Sequence, residues 1–221
     1  MEIKVNQTLK ELEPGFKIGA AVYRGIEVGD APQMLKGRMR LFQESLYFDF
    51  DEIEIKDIPA VQEWRSLFKK AGTDPNRYRP SQEAIFRRIK KQQYLETIHS
   101  AADINNFFSM EYQIPIGIYD LDRLSGEIEI RVGTDKDSYE AINGRDVSME
   151  KKILSADRNG AFGSPYVDSK RTAATRETVN ALQLVYLTPS MSETEAGKLL
   201  SALTTMFVQI HGGTEKHFII A

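Results

Sequence analysis

Apolar positions recur every three to four residues in the first half of this chain and every second residue beyond Pro115. The first period belongs to amphipathic helices, the second to half-buried strands. Met34, Leu35, Met39, Leu41, Phe42 and Leu46 predict a helix over 32–48. Val61, Trp64, Leu67 and Phe68 predict another over 59–71, stopped by Gly72. Asp74-Pro75 and Pro80 break the period and make 73–80 a loop. Ser81 has the side chain of an N-cap and Glu83 suits a first turn, so a helix is expected over 81–91. Residues 101–112 read as a further, buried helix. Ahead of these, Ile18, Val22, Ile26 and Val28 mark 16–28 as a strand or hairpin.

Beyond Pro115 the strands follow. Residues 127–132 alternate strictly, as a sheet with one wet face requires. Further strands are expected at 116–120, 139–142 (before Asn143-Gly144), 153–156 and 178–187, the last stopped by Thr188-Pro189. Ser192 caps a final helix to 210, closed by Gly212-Gly213. Helices early and strands late give the α+β class. Helices 81–91 and 101–112 are expected to pack on one mixed sheet holding 116–120, 126–133 and 178–187. Residues 1–72 read as an N-terminal layer and 73–221 as the main domain, with no Pro-, Gly- or Ser-rich linker between them.

Composition narrows the chemistry. Among 221 residues the net charge is −3, so any nucleic-acid contact must come from a local patch. The chain has no cysteine, which excludes disulfides and thiolate chemistry. Its three histidines, His99, His211 and His217, form no metal-ligand spacing, and no cofactor motif is present, so neither metal nor cofactor is expected. No apolar run reaches the ~20 residues of a membrane span. The N-terminal residues lack a signal-peptide core. A soluble cytoplasmic protein that does not enter a membrane is the expectation.

The basic segment is Arg77, Arg79, Arg87, Arg88, Lys90 and Lys91, opposed only by Glu83. Arg87, Lys90 and Lys91 fall on one helix face, which fits either a track for phosphates or a solvated face with salt bridges. Asp103 and Asn106 share a helix side among apolar neighbours, as a ligand pair or a buried polar network does. Asp120 ends a strand and is placed to cap the turn at 121–124. Residues 157–165 read as a Gly-rich loop whose amides fit a carbonyl or carboxylate. Asp168, Thr172, Thr175 and Thr178 fit either a polar pocket or a turn leading into a strand. His211, next to Gly212, is placed to complement a helix C-terminal dipole.

One stretch is more specific. Ala102-Asp103-Ile104-Asn105-Asn106-Phe107, Gln113-Ile114-Pro115-Ile116-Gly117-Ile118-Tyr119-Asp120 and Leu121-Asp122-Arg123-Leu124 follow one another in fixed register. They resemble the V-D-x-x-N-[YF], Q-P-L-H-A-F-D and L-D-x-L segments of the editing (B3/B4) domain of the bacterial phenylalanyl-tRNA synthetase β subunit. Ser155-Ala156-Asp157 with Gly160, and Thr175 with Thr178, are similar to later motifs of the same domain. The resemblance covers about 98–178. It implies a B3/B4-like fold and, as partner, tRNA or aminoacyl-tRNA, with hydrolysis of mischarged esters in trans. Non-catalytic binding of tRNA, or of a small amino-acid-like ligand, is the other implied role. It also implies a ligand pocket of Arg77, Arg79, Ser81, Asp103, Asn106, Gly117, Gly163, Asp168, Thr172 and Thr175, with Arg87, Arg88, Lys90 and Lys91 against RNA. The chain departs from the pattern at Gly117, where the family has His, and the family's later Glu-bearing segment is not visible. A cavity is therefore expected beside Gly117.

Overall fold

The strand Asn180–Tyr186 (β9) is buried along both faces, which is why its sequence is apolar without strict alternation. The computed structural model describes residues 2–221. β9 is an inner strand of a four-stranded antiparallel sheet ordered β10-β2-β9-β3. The others are Ile18–Arg24 (β2), Ile116–Asp120 (β3) and Thr214–Ile220 (β10). A second sheet, β1-β4-β7-β8, joins Ile3–Val5 (β1), Ile128–Val132 (β4), Ile153–Asp157 (β7) and Gly160–Gly163 (β8). There β1 runs parallel to β4 and the other pairs are antiparallel. A small hairpin, Ser138–Glu140 (β5) with Asp146–Ser148 (β6), completes the strands.

The first sheet lies between two layers. Ala181 and Val185 of β9 join the core built by Gln33–Asp49 (α2), Ser81–Ile89 (α4), Ser100–Glu111 (α5) and Glu193–His211 (α6). Leu182, Leu184 and Tyr186 point the other way. They meet Ile128, Ile130 and Phe162 of the second sheet and Trp64 and Leu67 of Pro59–Ala71 (α3). Leu9 of Gln7–Leu12 (α1) closes that second core. The helix ends follow local chemistry. α3 starts at Pro59 and stops at Gly72 in the left-handed region, φ 97°. α6 opens on a capping box between Ser192 and Glu195.

The α+β class and the five expected helices stand, with α4 ending at Ile89 instead of 91. Of the two readings of 16–28, strand or hairpin, the strand stands, as β2. Three expectations change. The single sheet is two, because 128–132 pairs with β1 and β7 while 116–120 and 180–186 pair with each other. The Gly-rich segment is largely a hairpin, β7–β8, turning at Arg158-Asn159, with Gly160 at φ 111°. Ser81 is the first helical residue, not the cap: Pro80 holds the cap position, and the Ser81 N–H donates to the Pro165 carbonyl (2.8 Å). β1, α1 and β10 carry no clear signal in the sequence, being short or at a sheet edge where one face stays wet.

Gln183 is the one polar side chain that β9 turns toward the helices, and each of its two polar atoms has a partner. The Tyr23 hydroxyl donates to its Oε1 (2.7 Å), and its Nε2 donates to Asn105 Oδ1. The buried amide on α5 is therefore Asn105, while Asn106 stays partly exposed. We expect Asn105→Ala to strand the Gln183 amide and to lower unfolding free energy by about 1–3 kcal/mol. Urea denaturation checks this as a lower midpoint at unchanged slope.

Candidate functional site

α4 forms one wall of a cleft of ≈ 620 Å³ that holds Arg79, Arg87, Arg88, Lys90 and Lys91, with Glu54 and Ile55 opposite. The cations differ in what they already contact. Glu83, fully buried, takes Arg65 Nη1 on both carboxylate oxygens (3.0 and 3.1 Å) and Arg87 Nε on Oε1 (2.8 Å). Arg79 Nε lies 3.9 Å from the same oxygen. Lys90 donates to the Ile53 carbonyl (2.7 Å). Arg88 and Lys91 are exposed, and among the described residues neither meets a carboxylate. A cleft with uncompensated cations at the surface attracts anions. Glu83 and Arg87 were readable as an i,i+4 pair, but Arg65, from α3, was not.

A second cleft, ≈ 630 Å³, is lined by Arg123, Lys136, Tyr139, Glu140, Lys170 and Arg171 among others. Its cations are mostly spent. Lys170 pairs with Glu140 (2.8 Å), Arg171 with Asp157 (2.9 Å) and Arg123 with Asp120 (3.7 Å). The α4 cleft therefore keeps more cations without a carboxylate partner.

Beside these clefts lies a buried cluster around Asp168. The Tyr119 hydroxyl donates to Asp168 Oδ1 (2.7 Å), and the Ser164 N–H approaches the same oxygen (3.3 Å). The Tyr186 hydroxyl lies 2.8 Å from Ser155 Oγ. Asp168 keeps some exposure as a residue, yet its carboxyl is enclosed, since the phenol that caps it is fully buried. Burial pushes that carboxyl up to about 7, against the opposing hydrogen bonds from Tyr119 and Ser164. The same burial raises Tyr119, Tyr139 and Tyr186 well above ordinary phenols. Tyr139 fixes the loop around Asp168 by donating to the Val167 carbonyl, and it lies 3.2 Å from Ser164 Oγ. Tyr119, Tyr139, Ser155 and Tyr186 come from four strands in two sheets and the hairpin, so no spacing in the sequence announces them.

The expected cavity beside Gly117 is filled. A Cβ on Gly117 would stand 2.1 Å from the Tyr119 hydroxyl oxygen, and one on Gly163 2.3 Å from the same atom. The Tyr119 phenol lies against both glycines. Gly117 and Tyr119, two apart on β3, point to one face, so the strand fills its own gap.

The remaining expected residues divide into separate places. Thr172 is buried near Ser169 (3.3 Å between hydroxyls), and its carbonyl accepts the Asp120 N–H (2.8 Å). Thr175 accepts through its own hydroxyl from the Glu177 N–H, and its N–H donates to Thr178, which donates to Asp120. Asp120 caps the turn as expected, accepting from the Asp122 N–H (3.0 Å). Asp103 lies across the first sheet from Gly163, where Oδ1 accepts the Ile98 N–H (2.9 Å) and Oδ2 has no partner. Burial raises its carboxyl. Arg77 is exposed over the Tyr78 ring (5.1 Å), and Lys152 lies 4.0 Å from the same ring. Tyr78 in turn packs edge-on against Tyr166 (5.4 Å). The Ser81–Pro165 hydrogen bond links α4 to the loop that carries Asp168. His211 does not supply charge to the end of α6. It is buried, its Nδ1–H donates to the Phe207 carbonyl (2.9 Å), so Nε2 accepts from Ser100 (2.8 Å), and burial lowers its pKa.

The family model described as B3/4 domain matches residues 63–205. Over 214 residues the chain is 38% identical to an uncharacterized protein, YhzB, of Bacillus subtilis, covering 97% of each. Over 127 residues it is 22% identical to the phenylalanine–tRNA ligase beta subunit of Bartonella henselae, a match that takes in 57% of this chain and 16% of that subunit. A solved N-terminal fragment of the phenylalanyl-tRNA synthetase beta subunit from Pyrococcus horikoshii aligns with TM-score 0.48 and 13% identity, covering 99% of this chain and 50% of that one.

Two outcomes follow from the Tyr119–Asp168 geometry. Gly117→Ala and Gly163→Ala each force Tyr119 to move, and each is expected to destabilise by about 1–3 kcal/mol in chemical denaturation. The second concerns pH. The folded-state pKa of Asp168 is raised from 3.8 to about 7, so its contribution to stability is complete below pH ~4 and is lost as pH rises through 7. Asp168→Asn removes that loss. The variant should gain on the wild type between pH 5 and 8, by at most about 4 kcal/mol for the full shift. Urea midpoints at the two pH values measure it.

Proposed function

The chain belongs to the B3/4 domain family, and from that premise we propose that it binds tRNA or aminoacyl-tRNA through the cleft beside α4. The observation that carries this reading is the set of five cations in that cleft, with Arg88 and Lys91 left without carboxylate partners. Phosphate contacts supply sequence-independent affinity and position the nucleic acid. Arg87 holds buried Glu83 and serves the wall of the cleft, while Arg88 and Lys91 meet the backbone. Affinity for tRNA should fall as salt rises, with a log–log slope of about 0.7–0.9 per neutralised phosphate. Replacing Arg88 and Lys91 with Ala should weaken binding and flatten that slope, read by filter binding or anisotropy across a salt series. Absence of tRNA binding at low salt defeats the proposal.

One observation favours a second reading, hydrolysis of a mischarged aminoacyl ester in trans. Asp168 is a buried carboxyl whose pKa, about 7, suits a general base at neutral pH. Because the Tyr119 phenol closes over the carboxyl, this reading requires that phenol to swing aside. The ionised carboxylate then takes the proton of a water that attacks the ester carbonyl, and the ribose hydroxyl leaves with a proton in return. On this reading deacylation of a panel of mischarged tRNAs rises with pH to a plateau above about 7. Asp168→Asn abolishes it while leaving tRNA affinity intact. Binding without turnover across the panel leaves the chain a tRNA-binding module.

A further inference from the structure

Three arginines converge on one carboxylate in the wall of the α4 cleft, and they are used differently. Arg65 is saturated. Its Nη1 donates to both oxygens of Glu83 (3.0 and 3.1 Å) and to the Pro75 carbonyl (3.1 Å), and its Nη2 donates to Asn76 Oδ1 (2.6 Å). Arg79 and Arg87 stand four residues to either side of Glu83. Each turns its Nε toward the same Oε1, Arg87 at 2.8 Å and Arg79 at 3.9 Å. Both side chains line the cleft and are partly exposed.

A guanidinium has five N–H donors. Arg87 spends one of them on Glu83, and among the described residues its Nη atoms meet no acceptor. Arg79 spends none: its Nε is shielded from solvent and has no hydrogen-bond partner. Shielded donors without partners are rare in folded proteins, because each costs the hydration it has lost. Two guanidinium groups that both approach one oxygen are also close neighbours, and they repel each other. Glu83 does not offset both, since Arg65 already occupies its two oxygens. Glu54, on the opposite wall, is not within ion-pair distance of either.

Three cations against one carboxylate leave an excess of two positive charges at this point of the wall. A carboxylate or a phosphodiester brings one negative charge, while a phosphomonoester brings about 1.5–2 at neutral pH. The planar fork of arginine also matches phosphate oxygens two at a time. We propose that Arg79 and Arg87 form a clamp for one phosphomonoester, with Glu83 and Arg65 as the positioning residues that hold it open. The ligand chemistry is shared by free phosphate and by the 5′-phosphate of an RNA. The clamp lies in the cleft to which RNA binding is assigned above, but it does not rest on that reading.

Inorganic phosphate is the first probe, titrated by calorimetry at constant low ionic strength. Saturable binding with one site per chain is expected. Arg79→Lys keeps the charge and removes the fork, and it should weaken phosphate by about tenfold. Arg79 makes no hydrogen bond within the chain, so this variant should fold as the wild type does, checked by circular dichroism. The second probe is a pair of short RNAs of one sequence, with and without a 5′-phosphate. If RNA is the source, the phosphorylated one binds more tightly and Arg79→Lys removes the difference. If phosphate binds and the two RNAs do not differ, the clamp takes a free phosphomonoester. Absence of saturable phosphate binding overturns the proposal, as does wild-type phosphate affinity in Arg79→Lys. tRNA binding that depends on Arg88 and Lys91, with no phosphate site, would remove the clamp and leave the tRNA reading. A phosphate site without tRNA binding would do the reverse.

Discussion

Everything in this fold is arranged around a strand that has no wet face. β9 is covered by helices on one side and by the second sheet with α3 on the other. Burial on both faces requires each polar atom it carries to find a partner inside the protein. Gln183 finds Tyr23 and Asn105 on the helical side. Tyr186 finds Ser155 on the other. These two polar points link β2 and α5 to β9 on one face, and β7 on the other. They set register in layers that apolar contact alone would let slide.

The packing on that second face also determines the chemistry of the candidate site. Tyr119 fits only because residues 117 and 163 have no Cβ, and its phenol then closes over Asp168. The enclosure that removes water from the carboxyl moves its ionisation to neutrality. The packing that fills the expected cavity is thus the packing that creates a titrating group. The chain places its proton chemistry behind a wall and its open cations beside α4, and the Ser81–Pro165 hydrogen bond is the backbone link between them.

Charge is handled differently in the two clefts. Around the second, carboxylates meet most of the cations in turn. Around α4 a single buried carboxylate, Glu83, serves Arg65 and Arg87 and leaves the outer cations to solvent. A buried acid held by two arginines is costly to disturb, since removing Arg65 leaves the charge of buried Glu83 short of a partner. It fixes the shape of the wall, while the exposed residues supply its attraction.

Local chemistry settled much of this protein from the sequence. The helices over 33–49, 59–71 and 193–211 follow from periodicity, Pro59, Gly72 and the Ser192–Glu195 box, all of which act within a few residues. The turn cap at Asp120 and the basic character of 77–91 were legible for the same reason, and the ordered motifs at 102–124 were sufficient to indicate the family. The tertiary structure decided what depends on distant pairs. Period-two alternation marks 128–132 as a strand but does not name its neighbour, so the sheet it joins is decided only by pairing with β1 and β7. Asn105 and Asn106 are adjacent in sequence, and only the position of Gln183 across the core selects Asn105. The slot beside Gly117 looked empty in one dimension because its occupant, Tyr119, is held in place by Gly163 and Asp168 from strands and loops more than forty residues away. Residue type and spacing specify elements and local charge. Which side chains share one enclosed volume, and hence which carboxyl titrates near neutrality, is set by packing that exists only once the layers have closed.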